Sequence, residues 1–217
     1  MNLHSQSPTH LPADTDSLVP QLMRKAEQFD AMYETTPPWD IGRPQAAFLD
    51  LLMAGRITGK VLDVGCGTGE HALMAADAGL EAVGIDAAPR AIATANQKAE
   101  ARGLAARFIV GDALELDRMH ETFDTVLDCG LFHIFPDDDR VRFAEALQAV
   151  VPPGGRYFML CFSEHQPGEL GPRRVKREEI AGCFSRGWSV ESIEPSTIEL
   201  LGGAAAISWM AAIGRVD

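Results

Sequence analysis

A short apolar run that breaks into alternating glycines, Val61-Leu-Asp63-Val-Gly65-Cys66-Gly67-Thr-Gly69-Glu70, constrains this chain more than any other segment. A strand that ends in a glycine-rich turn and opens a helix begins an open α/β sheet, and nucleotide-like ligands sit at the carboxyl edge it creates. The texture that follows repeats the unit. EHALMAADAG reads as a helix, EAVGID as a strand, Pro89–Arg102 as an Ala-rich helix, and ARFIVGDA and FDTVLDCG as two more strands. A helix over Asp137–Val150 and the run GGRYFMLCF come next. Short apolar strands alternating with helices of about ten to fourteen residues indicate parallel β-α-β units covered on both faces.

The last fifth of the chain departs from that rhythm. Lys176–Phe184 reads as a short helix, and Trp188–Glu194 and Ala204–Gly214 as strands with no helix between them, so an antiparallel pair is expected to close the sheet. Before the core, apolar residues at 18, 22, 26, 29 and 33 form a helical stripe. Prolines at 37, 38 and 44 interrupt it, and a second helix is expected from about Pro44 to Gly55. The expected organisation is one domain over 1–217: a polar tail over 1–16, lid helices over 17–55, a ligand-binding core over 60–162, and a C-terminal helix and strand pair over 163–217.

Which ligand the edge takes depends on its acids. A dinucleotide site needs G-x-G-x-x-G, and counting from Gly65 the third glycine position holds Glu70. Asp63, two residues before the first glycine, would repel a pyrophosphate but suits an ammonium or sulfonium group, and S-adenosylmethionine (SAM) carries both. Asp86 ends the second strand 19 residues after Gly67, where an acid can accept both hydroxyls of a ribose. Asp112 and Asp128 end the third and fourth strands. The composition agrees: 31 acidic against 19 basic residues give a net charge of −12, which disfavours broad binding to nucleic acid or to anionic membranes. The four cysteines contain no Cys-x-x-Cys pair, so reduced thiols are expected, and no metal. No 18-residue apolar run and no secretory leader are visible, and a cytoplasmic protein is expected.

The D-x-G-x-G-x-G pattern at 63–69, Asp86, Gly111-Asp112-Ala113, Asp128-Cys129-Gly130 and the Val151-Pro-Pro-Gly-Gly155 turn together resemble class I SAM-dependent methyltransferases. The resemblance spans Lys60 to about Phe162 and implies a Rossmann-like fold with a seven-stranded, mostly parallel sheet, an antiparallel C-terminal edge and an N-terminal helical lid. It implies SAM as cofactor and S-adenosylhomocysteine (SAH) as product, held by Asp63, Gly65, Cys66, Gly67, Asp86, Ala87, Asp112, Ala113, Asp128 and Cys129. Tyr33 to Gln45 resembles the P-W-D-x-G-x-P-Q element of a small-molecule branch, which includes thiopurine-, thiol- and halide-methylating enzymes and mycobacterial heterocyclic-toxin methyltransferases. That resemblance places Trp39 at the methionine end of SAM and Phe29 and Tyr33 at the acceptor; a plug joining helix to sheet is the other reading of Trp39.

The acceptor is expected to be a small, partly apolar molecule with a thiol or hydroxyl, the protein acting as a monomer or weak homodimer. The (D/N)-P-P-(Y/F) motif of nucleic-acid amine methyltransferases is absent after the fourth strand. His133, five residues past Asp128, is the candidate base or substrate orienter, or else a histidine packing beneath the pocket. Asp128 is a second catalytic candidate, and Phe132 and Glu164 complete the substrate candidates. The basic run Arg173-Arg174-Val-Lys176-Arg177 reads as a solvated face or a contact for an anionic acceptor. Methylation of a small amine, or SAM binding without catalysis, are the competing functions.

Overall fold

A computed structural model describes residues 27–169 and 171–216. The expected tail over 1–16 and the first part of the lid helix lie outside the described residues. Residues 27–32 are helical, and α1 (Ala46–Met53) follows the proline-rich element. Pro44 stands ahead of α1 rather than in its first turn, with Gln45 at the cap. The core then runs β1 (Val61–Val64), α2 (Glu70–Asp77), β2 (Ala82–Asp86), α3 (Pro89–Arg102), β3 (Ala106–Val110) and β4 (Thr125–Cys129). It continues through α4 (Asp137–Val150), β5 (Arg156–Phe162), α5 (Arg177–Cys183), β6 (Trp188–Glu199) and β7 (Ala205–Arg215). Short 3₁₀ turns at Ala113–Met119 and Phe132–Ile134, which periodicity does not signal, follow β3 and β4.

The seven strands lie in the order β3-β2-β1-β4-β5-β7-β6. Every pair from β3 to β5 is parallel, and β7 runs antiparallel to both β5 and β6. Alternation along the strands feeds two cores. Leu62, Val64, Val126 and Tyr157 pack with Phe143 and Leu147 of α4 and Ile180 of α5. Val61, Leu127 and Phe158 pack on the other face with Phe48 of α1, Leu73 of α2 and Ile92 of α3. Each fully buried aromatic or leucine of these sets is worth roughly 1.5–3 kcal/mol over an exposed one.

The helices start and stop where their sequences dictate. Pro89 opens α3 and Gly103, at φ 65°, closes it. Asp137, Asp138 and Asp139 fill the first turn of α4, where the helix dipole favours negative charge. β6 is longer than expected: it runs through Pro195 to Glu199, with a register shift between Val190 and Ser192. It is the outermost strand, where a proline costs no ladder hydrogen bond on the open side. Among the described residues no helix is long and apolar enough to cross a membrane. Strand order reverses between β1 and β4, and their carboxyl ends frame the crevice that such sheets use for ligands.

Candidate active site

Asp86 is the best-prepared ligand group in the crevice. Its Oδ2 accepts from the Gly67 amide and its Oδ1 from the Ala88 amide, each at 2.8 Å. Two rigid donors fix the carboxylate while it stays partly exposed, so its remaining lone pairs can receive two neighbouring hydroxyls. The arrangement also discriminates between cofactors. Because the Gly67 amide is already given to Asp86, the glycine turn offers a carboxylate where a pyrophosphate would need a donor. Gly67 holds φ 53°, and a Cβ there would stand 2.8 Å from the Tyr33 hydroxyl. This backbone must approach a covering group closely. Cys66 turns its thiol inward beneath Gly84, leaving only its backbone at the turn. Exposed Ala87 adjoins Asp86, and Asp112 caps the 3₁₀ turn through the Leu114 amide at 2.9 Å, beside buried Ala113. Half-buried Cys129 ends β4.

Three residues expected in the site face the interior instead. Asp63 is 1% exposed; its Oδ2 accepts from the Ala72 amide of α2 at 3.2 Å, and burial drives its carboxyl well above the usual range. It ties β1 to α2 and offers no free surface to a ligand. Asp128 is sealed. Its oxygens accept from the Leu131 and Phe132 amides and, at 2.7 Å, from the Tyr157 hydroxyl, and burial lifts its carboxyl to about 7. That commitment corrects the expectation of a catalytic or cofactor-binding carboxylate. Phe132 has no exposed surface either, stacking in the core with Phe184 beneath the Arg140 guanidinium. The aromatic wall beside His133 is Phe162 of β5, itself 8% exposed, which the sequence reading did not single out.

His133 lies against that wall, its ring edge-on to Phe162 at 4.9 Å. Its Nδ1 accepts from the Phe162 amide at 2.9 Å, and burial with the Arg140 and Arg174 charges pushes its pKa down to about 3. Glu164 accepts from the Trp209 indole at 2.7 Å, which ties it to β7. The basic run is likewise committed: Arg173 pairs with Asp137 and Glu179, Arg174 donates to carbonyls of residues 166–168 and 172, and Arg177 lies 4.2 Å over the Trp209 ring.

The segment over 33–45 straps across the glycine turn. Trp39 Nε1 donates to the Tyr33 hydroxyl at 3.2 Å, and burial together with Asp86 raises the Tyr33 pKa. Trp39 itself is 36% exposed, so it is not a core plug. Phe29 is half-buried in the preceding helical residues, whose Asp30 pairs with Arg90 of α3. Lys98 of α3 lies 2.8 Å from Glu70 and 3.8 Å from Asp40 of the strap. At the other end Gln45 exchanges two hydrogen bonds with the Glu199 backbone, and the Glu199 carboxylate takes Arg43 at 2.8 Å and the Ala46 amide. Sequence reasoning missed these anchors because 154 residues separate Gln45 from Glu199 and neither carries a local signal.

Taken together, a doubly wound sheet, a glycine turn closed by a carboxylate instead of a phosphate cradle, and a strap over it define a Rossmann-like binder of a nucleoside without phosphates. The comparisons make this narrower. Residues 61–155 match the family model described as "Methyltransferase domain". Over 165 residues, 75% of this chain and 73% of the relative, the chain is 37% identical to 2-heptyl-1-hydroxyquinolin-4(1H)-one methyltransferase of Mycobacteroides abscessus. It is 37% identical, with a TM-score of 0.81 over 88% of this chain and 93% of the other, to a protein solved in work on the conversion of a disulfide bond into a thioacetal group during echinomycin biosynthesis. Magnesium protoporphyrin IX methyltransferase of Synechocystis PCC 6803, solved with bound SAM, shares the fold at a TM-score of 0.61 and 19% identity, covering 92% of this chain and 84% of that one. The chain belongs to the class I SAM-dependent methyltransferases, and it is a methyltransferase of small molecules that uses SAM.

Proposed function

We propose that this enzyme methylates an oxygen or sulfur nucleophile that arrives already ionised, on a small, partly apolar acceptor such as a hydroxyheterocycle or a thiol. The observation that carries this is that, among the described residues, Asp128 and His133 beside the β4 turn are both unavailable as proton acceptors. Asp128 is sealed and saturated with donors, and His133 has a pKa near 3 with Nδ1 occupied. Neither can take a proton from a hydroxyl at neutral pH. The chain's contribution is then alignment and exclusion of water, which in-line displacement rewards. The hydroxyquinolone specificity of the Mycobacteroides abscessus relative supports an acidic heterocyclic hydroxyl. An amine arrives protonated and needs a base, which neither Asp128 nor His133 supplies among the described residues.

SAM supplies the methyl group when bound. We assign its ribose to Asp86 with Ala87 alongside, its adenine to Asp112 and Ala113, and its methionine end to Gly65, Cys66 and Gly67 by backbone, Cys129 and Trp39. Asp63 does not touch it and serves by joining β1 to α2 beneath the turn. Phe29, Tyr33 and Phe162 line the acceptor side, and the described residues 27–55 act as its lid.

The test is turnover of methyl-labelled SAM with phenols, hydroxyquinolones, thiols and amines of graded pKa, each across pH. The alkaline rise of kcat/KM is expected to follow each acceptor's own pKa. A rise at one pH common to all acceptors reveals a base on the enzyme and overturns the reading, and no turnover of any acceptor favours SAM binding without catalysis.

A further inference from the structure

We propose that His133 grips the acceptor as a hydrogen-bond donor through Nε2 and selects acceptors carrying an oxygen conjugated with the nucleophile, an inference that rests on the ionised-acceptor reading above. The ring's orientation decides the tautomer. Nδ1 accepts the Phe162 N–H, so it carries no proton, and the single proton of the neutral imidazole sits on Nε2. Histidine in this state donates toward the site and cannot accept there.

Where that N–H points follows from two independent observations. Among the described residues no group of the chain accepts from Nε2, yet it is not one of the sealed polar atoms without a partner, which are Arg140 Nη2, Trp188 Nε1, Ser208 Oγ and Arg215 Nε. The small exposed part of His133, 4% of the residue, therefore includes this nitrogen. The second observation is Gly130, immediately after β4 at φ 84°. A Cβ there would stand 3.2 Å from Nε2, so a side chain at this position crowds the N–H that glycine leaves clear. A donor fixed by one backbone amide and exposed by one missing side chain is preorganised for an acceptor oxygen.

The charge around it has the matching sign. Arg140 of α4 lies 4.9 Å over the Phe132 ring, and Arg174, from the segment before α5, lies 5.8 Å from the Phe162 ring centre. Both oppose an imidazolium and favour negative charge in front of the ring. In an ionised hydroxy-oxo heterocycle the charge is shared with the conjugated carbonyl oxygen. Nε2–H can hold that oxygen while the hydroxyl oxygen faces the methyl group. A simple thiolate has no second oxygen and gains nothing from the donor.

Two probes separate the cases: 1-hydroxyquinolin-4(1H)-one and benzenethiol, titrated by absorbance into the protein–SAH complex and then turned over with SAM. His133→Leu is expected to weaken the hydroxyquinolone about ten- to hundredfold, as loss of a hydrogen bond to a charged group does, and to raise the pH at which the bound probe ionises. Benzenethiol should change less than about threefold on the same argument. Gly130→Ala should give the same selective loss by covering Nε2, and His133→Gln, which keeps an amide donor, should restore part of it. Equal loss on both probes, or none on either, overturns the proposal. Wild-type protein that neither binds nor methylates the hydroxyquinolone overturns the acceptor reading as well; methylation of it unaltered in His133→Leu overturns this one alone.

Discussion

Asp86 and Asp128 end two strands of the same sheet edge and do opposite work. One is held open by two amides and the other is buried under three donors. The place of each along its strand is legible in the sequence, because apolar runs and glycines mark strand ends. The direction of each side chain is not, since it depends on the partner that meets it: Tyr157 comes from β5, 29 residues away. The same holds for Phe132 and His133, adjacent residues of which one fills the core and the other flanks the site. Asp86→Asn keeps the shape but can accept from only one of the two amides, and is expected to weaken SAH by about 1–3 kcal/mol in a calorimetric titration. Asp128→Asn tests the buried acid through stability. Burial places its carboxyl near 7 when folded, against roughly 3.9 unfolded. The folded protein keeps a proton there that the unfolded chain releases. The stability this confers is complete below about pH 4 and is lost as pH rises to 7. Relative to wild type the variant should therefore gain about 1.4 kcal/mol per pH unit across that window in denaturant titrations, whatever offset its one unpaired amide adds.

At the scale of elements, the strap over 33–45 is the least autonomous part of the site. It contains no regular structure and depends on α3 at one end and on the β6–β7 hairpin at the other, where the Leu201 amide also donates to the Pro38 carbonyl at 2.8 Å. Its motif is readable from Pro38, Trp39, Asp40 and Gly42, but its anchors are not, because they are assembled only by the folded sheet. Glu199→Ala removes the partner of Arg43 and of the Ala46 amide. The melting temperature is expected to move little, while SAH binding weakens severalfold because the strap loses its hinge side. An unchanged SAH affinity in that variant would separate the strap from cofactor binding. Gly67→Ala should be costlier, adding about 1–3 kcal/mol of left-handed backbone strain to a contact with the Tyr33 hydroxyl. Combining it with Tyr33→Phe should recover part of the loss in SAH affinity and none of the strain.

For the whole molecule, the excess of twelve negative charges is the property most easily read from the sequence and least specific. The fold gives part of it an address, by bringing the ends of β1, β2 and β4 together, where Asp86 is the partly exposed acid and burial holds the carboxyls of Asp63 and Asp128 above the usual range. SAM carries one more positive charge than SAH, so this edge should favour SAM, and the preference should shrink as salt screens it. Calorimetry of both ligands at low and high ionic strength measures this. A SAM/SAH ratio independent of salt would remove the electrostatic role given to Asp86. The antiparallel closure by β7 and β6 was legible from two strands lacking an intervening helix; the full length of β6 was not, because Pro195 reads as a stop until the strand is known to be outermost.

That proline has a consequence for the protein's behaviour in solution. A twelve-residue outer strand is an edge of the kind on which chains add to one another and aggregate, and among the described residues no strand pairs along its outer side. Pro195 removes a donor from the middle of that edge, the irregularity after Val190 bends it, and exposed Glu194 places a charge on it, while Glu191 and Glu199 hold Arg56, Arg156 and Arg43. The opposite margin, β3, is only five residues long. Pro195→Val should leave folding intact and make concentrated protein prone to self-association detectable by light scattering. The residue that hides the strand from a reader of the sequence also hides it from other copies of the chain.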